Sequence, residues 1–306
     1  MTHVFNKVLD STKKPKNIYF SYTLLFLLFI AVFFGWIFVS DYTFISDNDN
    51  LAEHYKAFIY CGQYLRGIIR NIFVRHQFFI PQFDINFGEG ADIIQTLCLY
   101  GIGDPFSYIS AFATKKYSSI VFAFSTLLRL YFSGIAFIYM CRYFHHKKQL
   151  SILAGAFCYC FVPYTTWQLT DQTCFLIPFY FFPLFIVGVN KILNNESPWL
   201  YVFTVFFAAT SHFYFFYMLA SLTVIYAVIK VFMIYGINIK AVVFSGVKCV
   251  LYAMLSLSMA GLLFFPITYT LLTDPRASMS HLQLLGGLKG YVKMPMSFIA
   301  YIVPLM

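Results

Sequence analysis

Apolar residues run along this chain in long blocks separated by short polar breaks. The first block, IYFSYTLLFLLFIAVFFGWIFVS at 18–40, carries no charge. About 20 consecutive apolar residues suffice to cross the hydrocarbon core of a bilayer, so a membrane-spanning helix is expected there. A long polar stretch follows at 41–96, then a half-apolar 97–112 that is short for a span. Further spans are expected near 118–144, 150–167, 174–193, 198–212, 213–235 and 247–271. A last apolar run starts near 296 and is still running at Met306, so it reads as the start of a further span in a truncated chain.

Polar positions then set a topology. Lys7, Lys13, Lys14 and Lys16 precede the first span and place residues 1–17 in the cytoplasm, because cytoplasmic flanks carry the excess of Lys and Arg. Alternation makes the inner loops Arg142 to Lys148, Lys191 to Trp199 and Tyr235 to Lys248. The outer segments are 41–117, 168–173 and 272–295, with the bundle of about six spans at 118–271 between the two long ones. Of the 12 acidic residues, only Asp10 and Glu196 then face inward.

Composition agrees with this reading. Of 306 residues, 60% are hydrophobic, 22% aromatic and 11% charged, whereas soluble domains carry about 25% charge. The fold class is therefore all-α, a polytopic bundle. Soluble and disordered classes are excluded. The net charge of +9 sits mostly between spans and reads as topology and headgroup contact, with no nucleic-acid partner. His145 and His146, beside Lys147 and Lys148, belong to that reading. The seven Cys form no CxxC pair and read as small hydrophobes rather than a disulfide or metal framework. The first block is too long, and lacks a small-residue cleavage site, to be a cleavable signal peptide.

The outer segment 41–117 concentrates the candidate chemistry. Residues 51–73 place apolar side chains at 51, 55, 58, 59, 65, 69, 72 and 73, the period of a helix, with His54, Gln63, Arg66 and Arg70 on another face. Such a helix lies in the membrane interface. Asn50 and Glu53 have capping-box spacing, which starts the helix at 50. Asp47 and Asp49 stand just before it. They read either as carboxylates gaining from the helix dipole or as a DxD-type pair that accepts a proton or holds a divalent cation, Mg or Mn. Downstream, Asp84, Glu89, Asp92 and Asp104 fall among Gly88, Gly90, Gly101 and Gly103. A glycine-rich, acid-rich stretch at a bilayer suggests a site-forming segment that lines a cavity, although Gly-Asp-Pro is equally a plain turn. Arg129 lies inside a span, where an Arg costs about 2.5–3.5 kcal/mol on insertion scales and must face the bundle interior. It reads as a phosphate contact, as the partner of an inward acid, or as a group paired with backbone carbonyls. Arg276, His281, Lys289 and Lys293 in 272–295 either hold an anionic group or are solvated loop charges. His212, near an outer span end, is expected to be a satisfied hydrogen-bonder.

Several blocks together resemble a known family. DNLAEHYKAFIYCGQYLR at 49–66, IPQFDINFGEGADIIQTLCLYGIGDPFSYISAF, LLRLYFSGIAFIYMCRYF and SHFYFFYML near 211–219 look like the YfhO family of bacterial membrane proteins, over most of residues 35–275. That family consists of glycosyltransferases, or glycosyltransferase-like proteins, of the GT-C superfamily. The resemblance implies interfacial helices in the first outer loop and a catalytic acid just after the first span. It also implies a polyprenyl-phosphate sugar donor, an anionic teichoic-acid-type acceptor and transfer outside the cytoplasm. The family's acid matches Asp49, and the His of its QHY-like motif matches His54, with Glu53 where Gln is common. Full members are longer, with more spans and an outer C-terminal domain.

The expected function is then a glycosyltransferase of the bacterial plasma membrane. Asp49 is the base, with Asp47 as its partner or a metal ligand, and His54, Glu89, Asp92, Asp104, Arg129, Arg276 and His281 bind substrate. The partners are membrane lipids, the lipid-linked donor and the polymer acceptor. The rival readings are a transporter or flippase of lipid-linked intermediates, which calls for ionisable residues in several spans, and an inactive truncated homologue.

Overall fold

A computed structural model describes residues 16–273 apart from 41, 88, 89 and 237. Glu89, Arg276 and His281, together with the run from 296, lie outside the described residues. The chain is an all-α polytopic membrane protein. Helix α1 spans Lys16–Val39, and a π-helical turn at Asn50–His54 leads into α2, Tyr55–Phe73. A two-residue antiparallel pairing follows, β1 (Phe83–Asp84) with β2 (Ala91–Asp92). Next come α3 (Ile93–Leu97), a 3-10 turn (Ser107–Phe112), α4 (Ser118–Tyr143), α5 (Gln149–Cys160) and α6 (Pro163–Gln168). A second 3-10 turn (Thr173–Leu176) runs into α7 (Ile177–Leu193), then α8 (Trp199–Ser211), α9 (Phe213–Tyr235), α10 (Ile239–Met259) and α11 (Gly261–Thr273).

Five helices are long and apolar enough to cross a membrane, and α5 and α8 are shorter apolar helices. The expected span 150–167 is broken, because Pro163 lacks an N–H and starts a new helix in the first-turn position that suits it. The expected span 247–271 is also divided. Its helix starts earlier, at Ile239, where the Asn238 side chain caps the Ala241 N–H at 3.2 Å, and it stops at Ala260 before Gly261. Lys240 and Lys248 therefore sit on α10 and not in a loop. Helix α2 follows the expected period, but the capping box does not form. Asn50 donates instead to the Phe44 carbonyl at 3.1 Å, and Glu53 accepts from the Tyr100 hydroxyl at 2.8 Å.

The interior is built on α4 and α7, with α8 against α7. Phe185, Val189, Tyr201 and Val205 belong to the largest buried cluster. Helix α1 joins through Tyr22 and Phe26, which pack with Leu130, Ala156 and Cys160. Gly134 permits this approach, since a Cβ there would overlap the Tyr22 hydroxyl. Helices α1, α9 and α10 leave most of their apolar side chains exposed, Leu24, Leu28, Val32, Ile225, Val228 and Leu251 among them. In lipid this outward face carries no penalty. Hydroxyls within the spans turn back on their own helix: Ser133, Thr204, Ser211, Thr223 and Ser256 each donate to the carbonyl four residues earlier. This satisfies them where water is absent.

Polar segments gather at two ends. At one, Asn48 meets Asp171, Asp49 meets Gln172, and the backbone of Gly103 lies against Thr210. At the other, Tyr143 donates to Glu196 at 2.9 Å, Lys191 approaches Glu196 at 3.6 Å, and Lys248 donates to Asn195 at 2.7 Å. Segments that the alternation of spans puts on one side do meet in space.

Candidate functional site

The mouth of the bundle at the first of these ends is formed where the chain leaves α1 and where it turns between α6 and α7. The Ser46 hydroxyl bonds the Thr170 carbonyl and ties the two segments together. Two acids then come together from positions 122 residues apart in sequence (171 − 49). The Asn48 amide donates to Asp171 Oδ1 at 2.6 Å, and the Trp167 indole to Asp171 Oδ2 at 3.0 Å. The Gln172 amide donates to Asp49 Oδ2 at 3.0 Å. All of these donors are neutral. Asp49 is exposed and has lone pairs left to accept a proton or another hydrogen bond. Asp47 is exposed beside it, and no described residue hydrogen-bonds its carboxylate.

Below this mouth, His54 is buried, its ring edge-on to Tyr100 at 5.4 Å and to Phe175 at 6.5 Å. Its Nδ1 has no partner among the described residues. Burial pushes the His54 pKa below its ordinary value. The nearby Glu53, Asp171 and Asp49 oppose that shift, and Arg129 adds to it. In its neutral form the ring donates at one nitrogen and accepts at the other. Tyr100 bonds Glu53, and its phenol is raised by burial first and by that carboxylate second. His212 lies on the far side of Phe175, at 6.5 Å between rings; it hydrogen-bonds the Leu99 backbone as expected, while its Nδ1 has no partner among the described residues.

Asp104 and Arg129 form a different centre. Their side chains are 0% and 1% exposed, and Arg129 Nε donates to Asp104 Oδ2 at 2.7 Å. Asp104 Oδ1 accepts from the Tyr180 hydroxyl at 2.7 Å and from the Phe106 N–H at 3.2 Å. Arg129 Nη2 donates to Ser107 Oγ at 2.9 Å, while Nη1 has no partner among the described residues. Asp104 thus shapes the Gly-Asp-Pro turn and also neutralises the intramembrane arginine. Of the readings open for Arg129, this geometry is that of a partner to an inward acid. Asp92 caps α3, accepting from the Gln95 N–H at 2.8 Å. Asp84, outside the expected site, accepts from Tyr60 at 2.6 Å, and that bond with the Asn86 N–H holds its carboxyl below the usual range.

Among the described residues, no three His, Cys, Asp or Glu side chains converge as metal ligands. Asp171, Gln172, Tyr100 and Trp167 were not expected in the site. The signal available for them was slight: TDQT is a short loop that carries one acid and one amide.

A family profile described as Bacterial membrane protein YfhO matches residues 24–299. No curated protein and no solved structure gives a significant match.

Proposed function

This chain belongs to the bacterial membrane protein YfhO family, and on that premise we propose that it is a membrane-embedded glycosyltransferase. It moves a sugar from a polyprenyl-phosphate donor to an envelope polymer of the teichoic-acid type. Transfer takes place on the outer face, with the N-terminus in the cytoplasm. The observation that carries the reading is the exposed Asp49 carboxylate, held by Gln172 beside Asp171 at the mouth of an apolar bundle.

The chemistry follows from that placement. Asp49 takes the proton of the acceptor hydroxyl, the hydroxyl oxygen bonds the anomeric carbon, and the bond from that carbon to the phosphate oxygen breaks. The lipid phosphate departs with the electron pair. General-base help of this kind contributes about 10²–10⁴-fold. Asp171 stands at the same mouth, held by Asn48 and Trp167. A groove of about 480 Å³ runs from Pro105 and Phe106 along Phe132 and Tyr180 to Tyr139 and Leu200 near the opposite end. Its lining is almost wholly apolar and suits a prenyl chain. A transport reading finds less support, because the intramembrane pair Asp104–Arg129 is sealed from solvent rather than lining a wet path.

The test replaces Asp49 by Asn in the intact gene and measures polymer-bound sugar. The expected result is loss of about 10²-fold or more in transfer with normal membrane expression. Wild-type sugar content in that variant refutes the assignment. Movement of labelled lipid-sugar across vesicles without transfer would favour the transporter.

A further inference from the structure

Among the described residues, two clefts with charged side chains in their lining lie away from the mouth. One, at the opposite end, is lined by Arg142, His145 and Lys230, but Glu196 and the C-terminal turns of α4 and α7 face it too. Its cations are already offset by that acid and by the helix carbonyls. The other cleft, of about 610 Å³, lies between α2 and the segment 113–118, at the same end as the mouth. Its size falls in the range of small-molecule sites.

The second cleft sets three basic side chains among Tyr55, Ile59, Tyr60 and Ala113. Lys56, Gln63 and Arg66 come from one stripe of α2, at spacings of seven and three residues, and Lys115, Thr114 and Ser118 face them. No acid lines it. Neither Lys56 nor Lys115 is within ion-pair distance of an acid among the described residues. Asp84, on the Tyr60 side, is already engaged by the Tyr60 hydroxyl and Asn86. The wall is rigid: Arg66 Nη1 donates to the carbonyls of Ser110, Ala111 and Ala113 at 3.2, 2.9 and 3.0 Å, and Tyr55 bonds Ser118 at 2.7 Å. Gly62 lets α2 lie against the Ser110 backbone, where a Cβ would overlap it. Two unpaired ammonium groups beside a fixed guanidinium, with a hydroxyl and an amide between them, match an anion with several acceptor oxygens.

We propose that this cleft is a binding site for a phosphodiester anion. The site is separate from the carboxylate mouth, and the assignment holds whether or not Asp49 is a base. Membrane lipid headgroups and phosphodiester polymers both present this group.

The test uses the full chain purified in neutral detergent, with affinity measured for two probes. One is short-chain phosphatidylglycerol, compared with short-chain phosphatidylcholine, and the other is soluble poly(glycerol phosphate). The cleft variant is Lys56→Gln with Lys115→Gln, both exposed positions. The control is Lys147→Gln with Lys148→Gln, exposed at the other end. At least one probe is expected to bind saturably, with affinity falling about tenfold or more in the cleft variant, as losing charged hydrogen bonds requires, and unchanged in the control. Binding of the lipid alone identifies a headgroup as the source, and binding of the polymer alone identifies the polymer. The proposal is overturned if neither binds, if phosphatidylcholine binds as tightly as phosphatidylglycerol, or if both variants change alike.

Discussion

Removing the carboxylate charge at position 104 tests the buried centre most directly. In Asp104→Asn the shape is kept, and the guanidinium of Arg129 remains inside the bundle without its counter-charge. The Nε to Oδ2 contact is 2.7 Å. For charge centres about 4 Å apart, an effective dielectric of 20 gives an attraction of about 4 kcal/mol. The measured cost of breaking a buried pair from one side is about 3–5 kcal/mol. Tyr180 loses its charged acceptor as well. Arg129→Met alone leaves the opposite charge buried and is expected to cost a similar amount. The double variant Asp104→Asn/Arg129→Met removes both charges, and its cost should fall short of the sum of the singles by about 2–3 kcal/mol. Unfolding of the purified protein in detergent, followed by tryptophan fluorescence, measures all four corners of the cycle. A coupling below about 0.5 kcal/mol refutes the idea that each group is there to neutralise the other.

Three further outcomes follow from the packing and from the mouth. Gly103→Ala drives a Cβ into the backbone of Thr210, so it should destabilise the protein by about 1–3 kcal/mol as overpacking does; an unchanged unfolding midpoint contradicts the close approach. The folded pKa of His54 lies below the unfolded value of about 6.5. The unfolded chain therefore binds more protons in that window, and stability present above about pH 6.5 is lost as pH falls toward the folded value. His54→Gln should flatten this slope, and an identical slope in wild type and variant would assign it elsewhere. Finally, in a cysteine-free background, Asp47→Cys should react with an impermeant maleimide on intact cells and Lys147→Cys should not; the reverse pattern would invert the topology.

The helical architecture was legible because hydropathy over about 20 residues is dictated by the bilayer itself. Its interruptions were not. A hydropathy window reads across Gly261 and Pro163 alike, and it excluded the start of α10 because Lys240 and Lys248 look like loop residues, although their stems can lie along the helix. The capping box failed for a related reason. Asn50 and Glu53 have the right local spacing, but Phe44 and Tyr100 offer each of them a partner that no local pattern contains. Arg129 stood out as a charge in a span, and its inward orientation follows from cost alone. Its choice of Asp104, 25 residues away across a turn, depends on how α4 meets the 101–107 segment.

The same reasoning separates the acids that can react from those that cannot. A carboxylate offers about four lone-pair positions. Asp104 fills its own with Arg129, Tyr180, Ser107 and the Phe106 N–H, and none of these bonds can be released without leaving a buried polar group unpaired. Asp92 spends one oxygen on the α3 cap. Asp49 and Asp171 are held by three neutral donors in all, two of them amides, at the surface of the bundle. They are oriented without being saturated, and water can replace any donor that moves aside for a substrate hydroxyl. Sequence places all four acids in outer segments and ranks them by neighbouring motifs alone. What separates them is free acceptor capacity, and that depends on contacts reaching 123 positions along the chain.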